Sequence, residues 1–275
     1  MKLTPFGCGD EIWEDPKEAV EKFLRSEGER DENYIKVGEK LMGKEKFRRF
    51  LHEFFLEFTK KKLREAYTPD SLISHLVSSI EEIDKMLNTL YERLREVYGL
   101  MRPRDVRSVE SMEKLLKMAK RAKGPDDLGS RVDPRVINYY VGLMEELMRV
   151  RTKIVKEIDE LMEERAPNLK TLAGALLGAK LISLSGSLEN LAKLPSSTIQ
   201  LLGAERALFR HLTRGAKPPK HGILIQHPLV ARAKKKGKAA RSLAAKIAIA
   251  AKVDYFGGEF VGDKLLEELE EKEYV

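Results

Sequence analysis

The sequence predicts a mainly α protein: a small N-terminal α/β domain (residues 1–66), an antiparallel coiled-coil hairpin (67–166) and an all-α domain with an acidic tail (167–275). Three observations carry that expectation. Apolar residues from Ile73 to Val97 recur in steps of three and four, a second such seam starts at Val136, and beyond Pro167 the composition turns to small residues and lysine. A hydrophobic fraction of 42% in 275 residues is enough to fill a core, so a folded chain is expected.

In the first domain, Asp15-Pro16 sets a capped helix start with proline at the first helical position. Phe47, Phe50, Leu51, Phe54, Phe55 and Phe58 then form an aromatic stripe at helical spacing, a pattern of core or partner interface rather than of a cofactor site, and burial is the expected role. No run of alternating strands stands out. After Thr68-Pro69-Asp70, a second helix start, Ile73, Leu76, Ile80, Ile83, Leu87, Leu90, Leu94 and Val97 make a strict heptad, which drives a left-handed supercoil against a partner helix. Gly99 and Pro103 end it. Val136, Tyr140, Leu143, Leu147, Val150 and Ile154 supply the second seam, continued by a step of four to Ile158 and one of three to Leu161, and the two helices are expected to pair antiparallel. Thirty residues at 1.5 Å rise make a helix of about 45 Å, a spacer as well as a core. The intervening insertion, 101–133, reads as a short charged helix and a mobile tip around Lys123-Gly124-Pro125 and Gly129-Ser130.

Beyond Pro167, Leu172 to Leu188 is the most apolar window. Lys180 interrupts it and it is too short to span a bilayer, so it reads as a buried helix. Ser196 and Ser197 are candidate helix caps, Gly203 can end that short helix, and Ala204 to Leu212 begins another. Lys217-Pro218-Pro219-Lys220-His221-Gly222 reads as an exposed basic loop. An alanine-rich helix follows to about Lys252, and the acidic tail from Leu265 reads as a solvated helix.

Charge is unevenly distributed. Charged residues make up 35% of the chain, against about 25% in an average soluble protein, with a net charge of +7. Residues 167–252 hold eleven Lys and five Arg against only Glu189 and Glu205, while the tail from Val253 is acidic and the first 166 residues are nearly neutral. Such a surplus on one domain is the footprint of a polyanion binder. The single cysteine, Cys8, excludes an internal disulfide, no histidine pair has metal-ligand spacing, and the N-terminus is acidic where a secretory signal would be apolar. A reduced, cytoplasmic protein without metal or membrane attachment is expected.

No catalytic constellation emerges. Gly7-Cys8-Gly9 lacks the third glycine of a dinucleotide fingerprint, Gly237-Lys238 is followed by Ala239 where a phosphate loop needs Ser or Thr, and no GxSxG elbow supports Ser196 or Ser197 as a nucleophile. The binding chemistry is richer. Helix starts at Ser196 and Ser197, with Gln200 on the same short helix, suit phosphates. Arg206 and Arg210 are four apart on one helix face and can fork onto phosphate or a base edge, with His211 beside them. Lys217, Lys220 and His221 flank rigid prolines, and Arg232, Lys234, Lys235, Lys236, Lys238 and Arg241 follow. The plainer alternative is a polar surface helix in which Glu205 pairs with a neighbouring arginine.

The stretches LISLSGSLENLAKLPSSTIQLLGAERALFRHLTRGAKPPKHG and KGKAARSLAAKIAIAAKVDYFGGEF resemble the Nop domain of the box C/D ribonucleoprotein core proteins in their short archaeal form. The likeness is close over residues 167–260, and the paired helices before them extend it to about two thirds of the chain. It implies a scaffold, not an enzyme. The Nop domain would dock onto a kink-turn in a box C/D guide RNA already bound by a small kink-turn-binding protein. The coiled coil would make a homodimer, here through Ile80, Ile83, Leu87, Leu90, Leu94, Leu143, Leu147 and Val150. The N-terminal domain would hold fibrillarin, the S-adenosylmethionine-dependent RNA 2′-O-methyltransferase, through aromatic residues such as Trp13, Phe47, Phe54 and Phe55, so no cofactor is expected in this chain. RNA and kink-turn-protein contacts would fall on Gly203, Ala204, Glu205, Arg206, Phe209, Arg210, His211 and the Lys217–His221 loop, with Arg206 where the family commonly has lysine. Two other readings stand beside this one: a coiled-coil adaptor with a generic polyanion-binding domain, and a methyltransferase with its own cofactor site, which no glycine-rich motif supports.

Overall fold

The computed structural model describes residues 2–8, 11–31, 33–66, 68–130 and 132–270. They form two compact units that divide between Thr68 and Pro69. In the first, β1 (Lys2–Thr4), β2 (Gly7–Cys8), β3 (Glu11–Ile12) and β4 (Glu29–Arg30) make a sheet of order β3-β2-β1-β4. β1 runs antiparallel to β2 and parallel to β4, with Leu3 opposite Cys8 and Lys2 opposite Glu29. Strands of two or three residues are too short to show alternation, which is why they do not stand out in the sequence. Gly7 is required, because a Cβ there would lie 2.3 Å from the Glu11 carbonyl oxygen.

Three helices cover the sheet: α1 (Pro16–Arg25), capped by Asp15 through Glu18 N–H at 3.1 Å, α2 (Tyr34–Met42) and α3 (Lys44–Ala66). Leu3, Phe6, Trp13, Val20, Phe47, Phe50 and Phe54 make their core. Phe6 meets Phe47 edge-on at 5.4 Å, and Phe23 meets Phe54 in the same way at 5.5 Å. This corrects the expected partner face: Trp13, Phe47 and Phe54 are buried, and only Phe55 of those four is exposed. Three large aromatics are what a unit this small needs to fill a core.

The second unit begins with the hairpin, α4 (Pro69–Met101) and α7 (Pro134–Arg165), closed at its tip by α5 (Pro103–Val106) and α6 (Met112–Arg121). The α4 seam lies as expected, with Ile73, Ile80, Ile83, Leu87 and Leu94 buried and Leu90 half-buried. The α7 seam does so only in part. As far as Arg151 its buried phase is Ile137, Val141 and Met144, one residue round from the expected one, with Arg151 in register; beyond it the expected Ile158 is buried, followed by Met162 with Leu161 half-buried. Arg151 Nε and Nη2 fork onto the Asp84 carboxylate at 2.6 and 3.2 Å. The expected residues Val136, Leu143 and Val150 face outward, and Leu147 is half-buried at the margin. Ile80, Ile83, Leu87 and Leu94 are therefore enclosed within one hairpin and are not free to face a second copy.

The tip is packed rather than open. Val109, Leu115, Leu116 and Ala119 are buried with Tyr98 and Met101. Ser130 N–H donates to Leu100 O at 2.8 Å, Arg102 Nη1 to Gly124 O at 3.1 Å, and a Cβ on Gly129 would overlap the Met101 carbonyl.

A helical bundle completes the unit: α8 (Pro167–Ala173), α9 (Ala175–Ser185), α10 (Leu188–Lys193), α11 (Ser196–Ile199), α12 (Glu205–Arg214), a 3-10 turn at Ile223–Gln226, α13 (Pro228–Arg232), α14 (Lys236–Phe256) and α15 (Gly262–Glu270). The apolar window at Leu172–Leu188 is largely buried, with Leu184 exposed, but is broken at Gly174, whose φ is +77°, and again before Leu188. No helix among the described residues is long and apolar enough to cross a membrane. α14 is the central post, where Ala239, Ala240, Ala244, Ala248, Ala250 and Ala251 let neighbouring backbones approach closely. One continuous core joins it to Ile73, Val77 and Ile80 of α4 and to Ile158 and Met162 of α7, so the base of the hairpin belongs to the bundle.

Two buried polar knots hold this junction. Asp70 accepts from Arg165 Nε at 3.0 Å and from Leu188 N–H at 2.8 Å. Asp254 accepts from the backbone of Asn168 and Leu169, and Asn168 in turn accepts from Val261 N–H at 2.7 Å. The acidic tail helix is not freely solvated: Leu265 and Leu269 of α15 are buried, and Lys246 pairs with Glu268.

Candidate nucleic-acid interface

Pro195 occupies the cap position of α11, so Ser196 and Ser197 stand inside its first turn and do not cap it. Gln200, at its end, acts as a staple: its Nε2 donates to Lys220 O at 2.6 Å. The chain then turns at Gly203, where φ is +78° and a Cβ would meet Ile223 at 2.3 Å, and Ala204 leads into α12. Glu205 accepts the Gly203 N–H at 2.6 Å, so it fixes the turn rather than neutralising an arginine.

α12 buries none of its residues. Arg206 and Arg210 share one face, and Phe209 and Leu212 stand 67% and 74% exposed. An amphipathic helix normally hides its apolar stripe against its own fold, and this one presents it. Gly215 ends the helix in the left-handed region at φ +64°. His211 Nδ1 donates to Ala216 O at 2.5 Å, tying the helix end to the Lys217–His221 loop.

The loop returns alongside α11. Gly222 N–H donates to Gln200 O and Ile223 N–H to Leu202 O, both at 2.8 Å, and a Cβ on Gly222 would overlap the Leu202 carbonyl. Lys220 and His221 are thereby held opposite the start of α14, where with Lys234, Lys235, Lys236 and Lys238 they line a cleft of 560 Å³. His221 Nδ1 is enclosed and has no hydrogen-bond partner among the described residues. Arg232 on α13 and Arg241 on α14 are exposed. Two cationic surfaces result: a projecting helix with apolar side chains, and a purely basic cleft at the N-terminus of a 21-residue helix, where the dipole adds positive potential. Leu212 and the Gln200 staple were missed from sequence. The three-residue step from Phe209 could have signalled the leucine, but nothing local signals a side chain reaching a carbonyl twenty residues on. No group of three His, Cys, Asp or Glu side chains among the described residues could hold a metal ion.

The chain matches the family model "Nop: snoRNA binding domain, fibrillarin" over residues 105–273. It is 37% identical to an uncharacterized NOP5 family protein of Methanocaldococcus jannaschii, over 92% of this chain and 68% of that protein. It is 33% identical to nucleolar protein 56 of Dictyostelium discoideum, spanning 68% of this chain and 41% of that protein. A chain from a crystal structure of a fibrillarin/Nop5p complex is 32% identical with a TM-score of 0.50, covering 98% of this chain and 96% of its own. The family-model match runs through both α12 and the basic cleft, and the chain belongs to the Nop family as a NOP5-type member.

Proposed function

We propose that this chain is a non-catalytic scaffold of a box C/D guide ribonucleoprotein, bridging a kink-turn RNA with its bound protein to fibrillarin for guide-directed 2′-O-methylation. The observation that carries this reading is α12. A helix that leaves Phe209 and Leu212 in water beside Arg206 and Arg210 is built for a composite partner, apolar protein surface on one side and phosphate on the other. The cleft of Lys220, His221 and Lys234–Lys238 supplies further phosphate contacts.

The N-terminal unit is the proposed seat of fibrillarin, and the neighbour solved in complex with that enzyme supports it. With Trp13, Phe47 and Phe54 buried, the contact falls to exposed apolar residues, Phe55 and the groove where Ile12 and Leu41 flank Phe50. S-adenosylmethionine would belong to that partner. Self-association would use the outward stripes of the hairpin, Val136, Leu143 and Val150 on α7 with Met86 and Leu100 on α4, which repeat at heptad spacing.

The test is titration of wild type, Arg206→Ala/Arg210→Ala and Lys234→Ala/Lys235→Ala against the guide RNA, alone and carrying its kink-turn-binding protein. The arginine variant is expected to lose about 1.5–3 kcal/mol per contact on the RNA–protein complex, and its salt slope should fall by roughly one to two units. Equal losses for both variants, with or without the bound protein, would replace this reading by generic polyanion binding.

A further inference from the structure

We infer that α6, at the tip of the hairpin, is a separate contact for the phosphate backbone of a nucleic acid, made by Lys117, Arg121 and Lys123 with Lys114 beside them. The inference rests on the RNA-scaffold reading but on none of its residues.

The tip cations fall into two sets. Those that hold the tip together are matched by acids: Arg102 with Asp105, Arg104 with Asp127 at 3.0 Å, Lys120 with Glu145. Arg107, Lys114, Lys117, Arg121 and Lys123 have no ion-pair partner among the described residues, and all but Arg107 lie on or directly after α6. Lys114, Lys117 and Arg121 are spaced three and four apart and share one face of α6, and Lys123 follows at its end. Cations in a last turn complement the helix dipole, which accounts for Lys120 and Arg121. It does not account for Lys114 and Lys117, which lie further up the helix.

α6 is also held firmly. Ser111 caps it through Lys114 N–H at 3.2 Å, and Leu115, Leu116 and Ala119 are buried in the hairpin core. None of its apolar side chains is exposed, since Met112 and Met118 are half-buried as well. A protein partner would need an apolar anchor at the centre of its contact, and this outer face offers none: Lys114, Lys117 and Arg121 outnumber the one exposed acid beside them, Glu113, a balance that suits a phosphate backbone. The position gives it a distinct role. α4 has 33 residues and is about 50 Å long, with the bundle core at its start and the tip core at its end. A contact at α6 therefore reaches nucleic acid well away from the base of the hairpin.

The experiment uses the full chain with its kink-turn-binding protein and two RNAs, a minimal kink-turn hairpin and a complete guide RNA. Lys117→Ala/Arg121→Ala/Lys123→Ala keeps good helix formers at the two helical positions, with Lys123 beyond the end of α6, and circular dichroism checks the fold. On the complete RNA the salt slope is expected to fall by roughly two to three units, at about 0.7–0.9 for each phosphate no longer neutralised. On the minimal hairpin the variant should bind as wild type. Wild-type affinity and slope on the complete RNA would overturn the inference, as would equal losses on both RNAs, which mark a diffuse charge effect. Loss of binding to poly-glutamate with RNA binding intact would also overturn it, in favour of an acidic protein. Arg206→Ala/Arg210→Ala runs in parallel: if it alone weakens binding, the tip contact fails and the scaffold reading stands, and if neither variant weakens it, both fail.

Discussion

Asp70 and Asp84 show how the same ion pair differs with its surroundings. Asp70 is buried and accepts the Leu188 N–H as well as Arg165, whereas Asp84 and Arg151 are both partly exposed. Asp70→Ala orphans a buried donor and should cost about 1–3 kcal/mol, read as a lower urea midpoint. Asp84→Ala should cost less than about 1 kcal/mol, because water can replace the lost carboxylate. His227 gives a pH test. Its Nδ1 accepts the Leu229 N–H at 3.3 Å and caps α13, and burial lowers its pKa from the ordinary imidazole value, opposed by a hydrogen bond with the Leu172 backbone. The unfolded chain then binds the extra proton more readily than the folded one. The contribution is present above the unfolded pKa of about 6.5 and is lost as pH falls through the lower folded value. Melting temperature should drop between pH 7.5 and pH 5, and His227→Asn, which retains a capping oxygen but does not titrate, should remove that part of the drop. An unchanged pH dependence in the variant would rule out His227 as its source.

Among the elements, α4 and α7 separate what the sequence makes legible from what it does not. On α4 the buried residues between Ile73 and Leu94 are Ile, Leu and Val, so along the seam the apolar stripe and the buried face coincide. On α7 the buried face contains Met144, Met162 and the seam arginine Arg151, while the outward face carries Leu143 and Val150, so the more obvious stripe is the wrong one. A heptad identifies a seam but not which partner fills it. α12 is the surface helix that its charges suggest, with Leu208 half-buried and Phe209 and Leu212 exposed between the turns at Gly203 and Gly215. What was legible of the candidate interface is its charge and its turns: Arg206 and Arg210 share an exposed helix face, Gly203 makes the turn before them, and the Lys217–His221 loop is held beside α11. The α7 assignment leads to a contrast. Leu143→Glu/Val150→Glu should reduce the micromolar mass by light scattering from dimer to monomer with melting unchanged. Leu87→Asp, inside the hairpin, should cost several kcal/mol of stability first. Dimers that survive the α7 substitutions would exclude this face as the interface.

On the scale of the whole molecule, the proposed division of function follows the cores. The unit before Thr68 is filled by aromatics on a small sheet, and the unit from Pro69 onward carries its own core through hairpin and bundle together with nearly all the surplus positive charge. Because the core of the second unit includes Ile73, Val77 and Ile80, the hairpin cannot be trimmed from the bundle without removing part of what the bundle packs against. The first unit draws on none of those residues. Deletion of residues 1–68 should therefore leave a cooperative thermal transition, with RNA binding and its salt slope as in the full chain, while capture of fibrillarin is lost. Deletion of 81–153, which takes the hairpin beyond Ile80, should keep the bundle's buried contacts with α4 and α7 but remove dimerisation and the tip cations together. Calorimetry and pull-down on the two deletions decide between this division and a single interdependent fold: loss of cooperative melting after removing 1–68, or fibrillarin retained without it, would refute the assignment of partner binding to the first unit.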